Sequence, residues 1–393
     1  MIAEFALAVP LLTAAGMTIH SFWNLTHVDL GVRTDHVFGF YVDSVPLIRS
    51  PTRSGTNAYY RQLLAGIAAV PGVSHAAAMT YLPLDFLHAE TTFRLAGQPN
   101  YANPAMRPTA DFETVTPDYF ATFGIRIVTG RAFTDHDDVS SPKVAMINEA
   151  FVNRFLKGVE PLAQRLVMGQ VIPGQDKPGP EVGWQIVGVF HDVRSRNSRE
   201  DNPEIDVPFW QEAYPIAGIG VRTANDPASM IKTVQSAVNA IDSQAGFAFT
   251  RTMNQVHDQA LANDKFSGIA FGSFALVGLT LAAVGIYGTM AFSVAQRRHE
   301  MAVRAALGAT PNRIVTLIVG ECAVLTCTGM TLGVIGAYWM GRTMQGILFG
   351  ITPFDFSSVG ATAFMLLAAS LVACFLPAVT AASLDTMRFL KSE

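Results

Sequence analysis

The chain has 393 residues, 50% of them hydrophobic and only 15% charged. Soluble domains carry about 25% charged residues, so the composition excludes an ordinary soluble protein and points to a membrane. A formal net charge of −4 supplies no basic face and sets nucleic acid aside as a partner.

Polar residues crowd positions 25–265, while the last third is nearly bare of them. That division predicts one polar domain with membrane anchors on both sides. The first anchor is FALAVPLLTAAGMTIHSFW, Phe5 to Trp23. It is near the lower limit for a span, because about 20 apolar residues rising ~1.5 Å each cross a ~30 Å hydrocarbon core. A secretory signal would carry positive charge ahead of its apolar run. Here Glu4 precedes the run and the first Lys or Arg is Arg33, so residues 1–24 read as a retained helix with Trp23 as its interfacial anchor.

Residues 25–262 alternate short strand-like and helical runs, the pattern of a mixed α+β domain inserted between the first and second membrane helices. NAYYRQLLAGIAAVPGV (57–73) predicts a helix stopped by Pro71 and Gly72. VAMIN (144–148) and WQIVGVF (184–190) predict strands, β-branched or aromatic and bounded by turn formers. DPASMIKTVQSAVNAID (226–242) predicts a helix with Asp226 as cap and Pro227 at its first position. GQVIPGQDKPGPEVG predicts a mobile loop.

Oxygen and imidazole donors occur at Asp135, His136, Asp137 and Asp138, and again at His191 and Asp192. Consecutive residues in a polar turn seldom converge on one ion, and Thr134 reads as a cap with acids in a first helical turn. No metal site is expected there. With no GxSxG elbow and no Ser/His/Asp order, no hydrolase is expected either.

The remaining spans are 266–294, 314–341 and 356–379, the second interrupted by Glu321. An acid at that depth is functional by default, but its shallow position favours a structural pair. Gly268 and Gly272, spaced as GxxxG, permit close helix contact and suit dimerisation. Cys322, Cys327 and Cys374 all fall in apolar runs and read as small buried hydrophobes.

Orientation follows the basic residues. Arg297, Arg298, Arg304 and Arg313 face only Glu300 in the loop between the second and third spans, whereas residues 342–355 hold Arg342 and Asp355. The arginine-rich loop is therefore expected in the cytoplasm with both chain ends, and the large domain outside. Within 297–308, Glu300 precedes Arg304 by four residues in the favourable order, with Val303, Ala306 and Leu307 on the opposite side. This predicts a short amphipathic helix, ended by Gly308, with Thr310 and Pro311 opening the next one. Such a helix either docks in a partner's groove or lies as an anchor on anionic lipid.

RRHEMAVRAALGATPNRI (297–314) closely resembles the signature after the second span of the MacB/FtsX-like permeases, the membrane subunits of type VII ABC transporters. LFGITPFDF resembles that family's loop after the third span. TPDYFATFGIRIVTGRAFTDHDD, VAMINEAFVNRFL and WQIVGVFHDVR resemble consecutive motifs of the MacB-type periplasmic core domain. The resemblance implies a coupling helix at 297–308 resting on a nucleotide-binding subunit, with Arg297, Arg298, Glu300, Arg304, Leu307 and Gly308 at the contact. It also implies a membrane-proximal part (28–108 plus 217–262) and a distal part (109–216) in the external domain. Nothing fits GxxxxGK[ST], so ATP and Mg are expected only through a partner ATPase. The tail PAVTAASLDTMRFL lacks the family's paired arginines, and the abrupt start resembles one half of a duplicated permease. The implied function is a permease subunit in a bacterial inner membrane, pairing with itself or a sister half. The alternatives are an FtsX-like scaffold that regulates periplasmic proteins without transport, or an inert half.

Overall fold

The computed structural model describes residues 2–27, 29–44, 52–85, 88–98, 101, 103, 106–170, 179–194, 201–297, 300, 303, 310–344 and 355–382. It divides into a polar unit, Asp29–Ala260, and a helical unit, Met1–Val28 with Leu261–Glu393.

The polar unit is built from two interleaved parts. The first contains β1 (Val37–Asp43), α2 (Arg53–Ala68), β2 (Val73–Met79), β10 (Ile216–Thr223), α5 (Pro227–Ile241) and β11 (Gly246–Thr252). Its strands lie in the order β11-β1-β10-β2, all antiparallel, the ferredoxin-like split βαβ arrangement. Strand periodicity sends Phe38, Phe40, Val42, Ile219 and Val221 to the face covered by Leu63, Ile67, Val234 and Val238 of the two helices. The other face is lined by glycines: a Cβ on Gly39 would sit 2.6 Å from Leu82, and one on Gly220 would sit 2.5 Å from the Phe123 ring. Those two side chains close over the sheet only because the strands are bare there.

Helix α2 starts earlier than 57 because Thr52 caps it, accepting from Gly55 N, and it stops at Ala68. The Pro71-Gly72 turn, with Gly72 at φ +94, follows. Asp226 caps α5 as expected, accepting from Ala228 N and Ser229 N.

The second part is inserted between β2 and β10. It holds β3 (Ala89–Leu95), β4 (Thr109–Val115), α3 (Tyr119–Phe123), β5 (Ile127–Gly130), β6 (Val144–Asn148), α4 (Glu149–Phe155), β7 (Arg165–Gly169), β8 (Glu181–Phe190) and β9 (Glu204–Pro208). Six strands pair in a closed circuit, β4-β3-β7-β8-β6-β9 and back to β4. The interior is filled by alternate side chains, among them Phe93, Phe112, Ile147, Trp184, Ile186 and Ile205. The expected division put residues up to 108 in the membrane-proximal part. Strand β3 instead pairs with β4 and β7 and belongs to this ring.

Among the described residues, four helices are long and apolar enough to cross a membrane: α1 (Ile2–His27), α6 (Met253–Gln296), α7 (Pro311–Met344) and α8 (Phe356–Ala382). Helix α6 begins before the expected 266, opened by a reciprocal capping box in which Thr252 N donates to Gln255 Oε1 and Gln255 N to Thr252 Oγ1. Helices α1 and α7 meet along a glycine seam. A Cβ on Gly329 would lie 2.6 Å from Phe5, on Gly333 2.6 Å from Val9, and on Gly336 2.9 Å from Pro10. Gly268 and Gly272 do not serve this role within the chain, since a Cβ on either meets nothing within 4 Å. Cys374 is buried and disulfide-bonded, and Cys327 is an exposed free thiol, so neither is an inert buried hydrophobe.

Candidate functional site

Arg297 occupies a turn after the end of α6, its N–H donating to Ser293 O at 3.2 Å. Glu300 and Val303 are helical and exposed. Arg298, Arg304, Leu307 and Gly308 lie outside the described residues. The next helix opens at the expected point, with Pro311 first and Arg313 N donating to Thr310 O. Glu321 falls inside α7, but its side chain lies outside the described residues.

The bundle above this elbow is tied by polar contacts. Thr326 and Ser370 hydroxyls bond at 2.9 Å, joining α7 to α8. Asp355, from the stretch that resembles the family's loop after the third span, caps α8 by accepting from Ser357 N and Ser358 N. The same carboxylate bonds His20 Nδ1 of α1 at 3.0 Å. One residue thus secures a helix start and a helix–helix contact.

The acidic turn at 134–138 is no helix start. Asp137 turns back to accept from Thr134 N and Oγ1 and takes both Arg131 guanidinium nitrogens at 2.7 and 2.8 Å. Such local bonds compete with helix formation. Despite burial, the Arg131 and Thr134 bonds hold its carboxyl below the ordinary range. Asp135 accepts from Trp210 Nε1 and Asp138 from Ser140, so the neighbouring acids serve separate structural contacts. His191 sits against Glu149 and Asp29, and Asp192 accepts from Ala150 N.

A cleft of about 690 Å³ opens on the polar unit, walled by Tyr41, Tyr81, Tyr214 and Phe249 with Asp85 and Arg251 in its polar corner. Phe249 adopts φ +53 and is 71% exposed. A positive φ is costly for a bulky residue, and here it presents an aromatic edge to Tyr41, with centroids 6.3 Å apart at 90°. Tyr41 donates to Asp85 at 3.0 Å and receives Leu82 N. Burial pushes the Tyr41 phenol well up and the Tyr214 phenol to about 12, so both stay neutral donors. The size and the mixture of aromatic wall with few polar groups suit a small amphipathic molecule. The walls come from positions 41, 81, 214 and 249, too far apart for any spacing to reveal them.

Residues 8–241 match the MacB-like periplasmic core domain, and residues 272–386 match the FtsX-like permease C-terminal domain. The chain belongs to this permease family. The permease is 26% identical over 302 residues to the uncharacterized ABC transporter permease YvrN of Bacillus subtilis (strain 168), covering 71% of this chain and 69% of that one. It is 27% identical over 297 residues to the pyoverdine export ATP-binding/permease protein PvdT of Pseudomonas entomophila (strain L48), covering 70% and 41%. It is 26% identical over 278 residues to the macrolide export ATP-binding/permease protein MacB of Azoarcus sp. (strain BH72), covering 68% and 40%. The permease thus spans about two fifths of these two export proteins. Among solved structures it is similar to the periplasmic region of MacB from Actinobacillus actinomycetemcomitans, at 11% identity and a TM-score of 0.39, covering 60% of this chain and 97% of that one.

Proposed function

We propose that this permease couples a separate ATP-hydrolysing subunit to its polar domain, as part of a MacB-like export or mechanotransmission system in a bacterial inner membrane. The carrying observation is that both family domains are present in order around four apolar helices. In this reading the polar domain is periplasmic, both ends are cytoplasmic, and the elbow at 297–308 rests on the ATPase. A second permease half, identical or a sister, completes the unit. Nucleotide binding shifts the permease only as far as its affinity differs between two states, so the elbow must contact the ATPase differently in each. Helix α6 runs without interruption from Met253 to Gln296 and is the element that carries the motion.

A photocrosslinker at Ala306 in native membranes tests this. The expected result is capture of a P-loop ATPase, lost in the Arg304→Ala/Leu307→Ala variant, which still inserts. Capture of lipid alone, with the protein correctly oriented, makes the elbow an anchor and favours the scaffold reading.

A further inference from the structure

Three short segments share one alternation: His88-Ala-Glu90, Asp111-Phe-Glu113 and Glu204-Ile-Asp206. They lie on three neighbouring strands of the ring. Antiparallel pairing sets Glu90 opposite Asp111, and parallel pairing sets Asp111 opposite Glu204 and Glu113 opposite Asp206. Continued one step, the first register sets His88 opposite Glu113. Residues paired across a sheet point to the same face, so Phe112 and Ile205 enter the barrel core while five carboxylates and one imidazole form a two-by-three grid on the outside.

Like charges directly opposed across strands are destabilising, and three such pairs stand here, Glu90 with Asp111, Asp111 with Glu204 and Glu113 with Asp206. Asp206 is fully buried, no N–H or hydroxyl group donates to either of its carboxylate oxygens, and the side chain it meets is the Glu204 carboxyl. Glu113 is 9% exposed and accepts Tyr81 N, while Asp111 accepts Asn202 Nδ2. His88, Asp111, Glu113 and Glu204 line a cavity of about 50 Å³. About 10–15 Å³ of such space holds one water, so the cavity accommodates a small ion with water beside it. Among the described residues the one guanidinium lining it is Arg194, which pairs with Asp201 at 3.4 Å. Donor atoms of His88, Glu90 and Asp111 already lie within 4.8 Å of one another. Ligands at 2.0–2.2 Å from one ion must lie within about 4.4 Å of each other, so rotamer-scale movement closes the set.

We infer that this grid is a binding site for one first-row divalent cation, Mn²⁺ or Zn²⁺ in kind, held by His88, Glu90 and Asp111. Glu113 and Glu204 line the cavity beside His88 and Asp111, Glu90 reaches the ion from outside that lining, and Asp206 is buried next to Glu204. The mixed imidazole and carboxylate set separates it from an all-oxygen Ca²⁺ cage. Asn202 orients Asp111 in the manner of outer-shell partners that fix a metal ligand. The site is independent of the coupling reading, because it uses no residue of the elbow or the membrane helices.

The test uses full-length permease in detergent, stripped with chelator and titrated with Mn²⁺ alone, following free Mn²⁺ by electron paramagnetic resonance and melting in parallel. Wild type is expected to remove one Mn²⁺ per chain from the free signal and to melt higher with it. Glu90→Gln/Asp111→Asn should lose at least about tenfold in affinity. Without metal, that variant should melt no lower than wild type, since opposed charges are gone. His88→Gln lies outside the strand, so it keeps the test decisive if the double variant misfolds; it too should bind at least about tenfold more weakly. Absence of one-per-chain uptake by wild type overturns the site. So does uptake that survives His88→Gln unchanged, or a melting response to Ca²⁺ with none to Mn²⁺.

Discussion

His191 stands between two acids, with Glu149 at Nδ1 and Asp29 Oδ2 3.4 Å from Nε2. The Glu149 hydrogen bond, outweighing partial burial, raises its pKa, and Asp29 adds to the shift. A histidine raised on folding contributes stability that is fully present below its unfolded value near 6.5 and is lost as pH rises through the folded value. The ring is 29% exposed, so solvent screens the pair and the effect is small. The melting temperature is expected to fall slightly as pH rises above about 6.5, and His191→Gln should flatten that slope in a fluorimetric melting series. An unchanged slope in the variant assigns the proton elsewhere. At this scale the sequence is legible where a residue acts on its own backbone, as Asp226 does on α5. It misleads at Thr134, because Asp137 folds back to Thr134 and Arg131 before any helix starts.

Helix existence is similarly legible, because apolar length alone identifies a span. Helix contact is not. The chain carries GxxxG at 268–272 and again at 329–333, and spacing cannot say which pair faces a neighbour. The rotation of α7 about its axis points Gly329 and Gly333 at Phe5 and Val9. Gly333→Leu is therefore expected to destabilise the bundle by about 1–3 kcal/mol through overpacking, visible as a lower melting temperature in detergent. Gly268→Leu should leave melting of the single chain unchanged, and a loss there equal to that at 333 would contradict the seam. The strand ring escaped the sequence for a related reason. Alternation in β4 and β9 shows that each has two unlike faces, but only the parallel register places Asp111 beside Glu204.

For the molecule as a whole, the proposed orientation makes a direct prediction. In a background without native cysteines, Ser140→Cys in the polar unit should react with a membrane-impermeant maleimide on intact spheroplasts. Val303→Cys should react only after lysis; both positions are exposed in the structure. The opposite pattern would reverse the topology. The sequence by itself determined the membrane class, the four spans, the polar insertion and the family, because hydropathy, charge bias and contiguous motifs are written along the chain. Tertiary structure alone decided the ferredoxin-like and barrel parts, the aromatic cleft, the glycine seam and the grid of acids. Each of these joins residues tens to hundreds of positions apart, and strand register and helix rotation, which bring them together, are settled only when the whole chain packs.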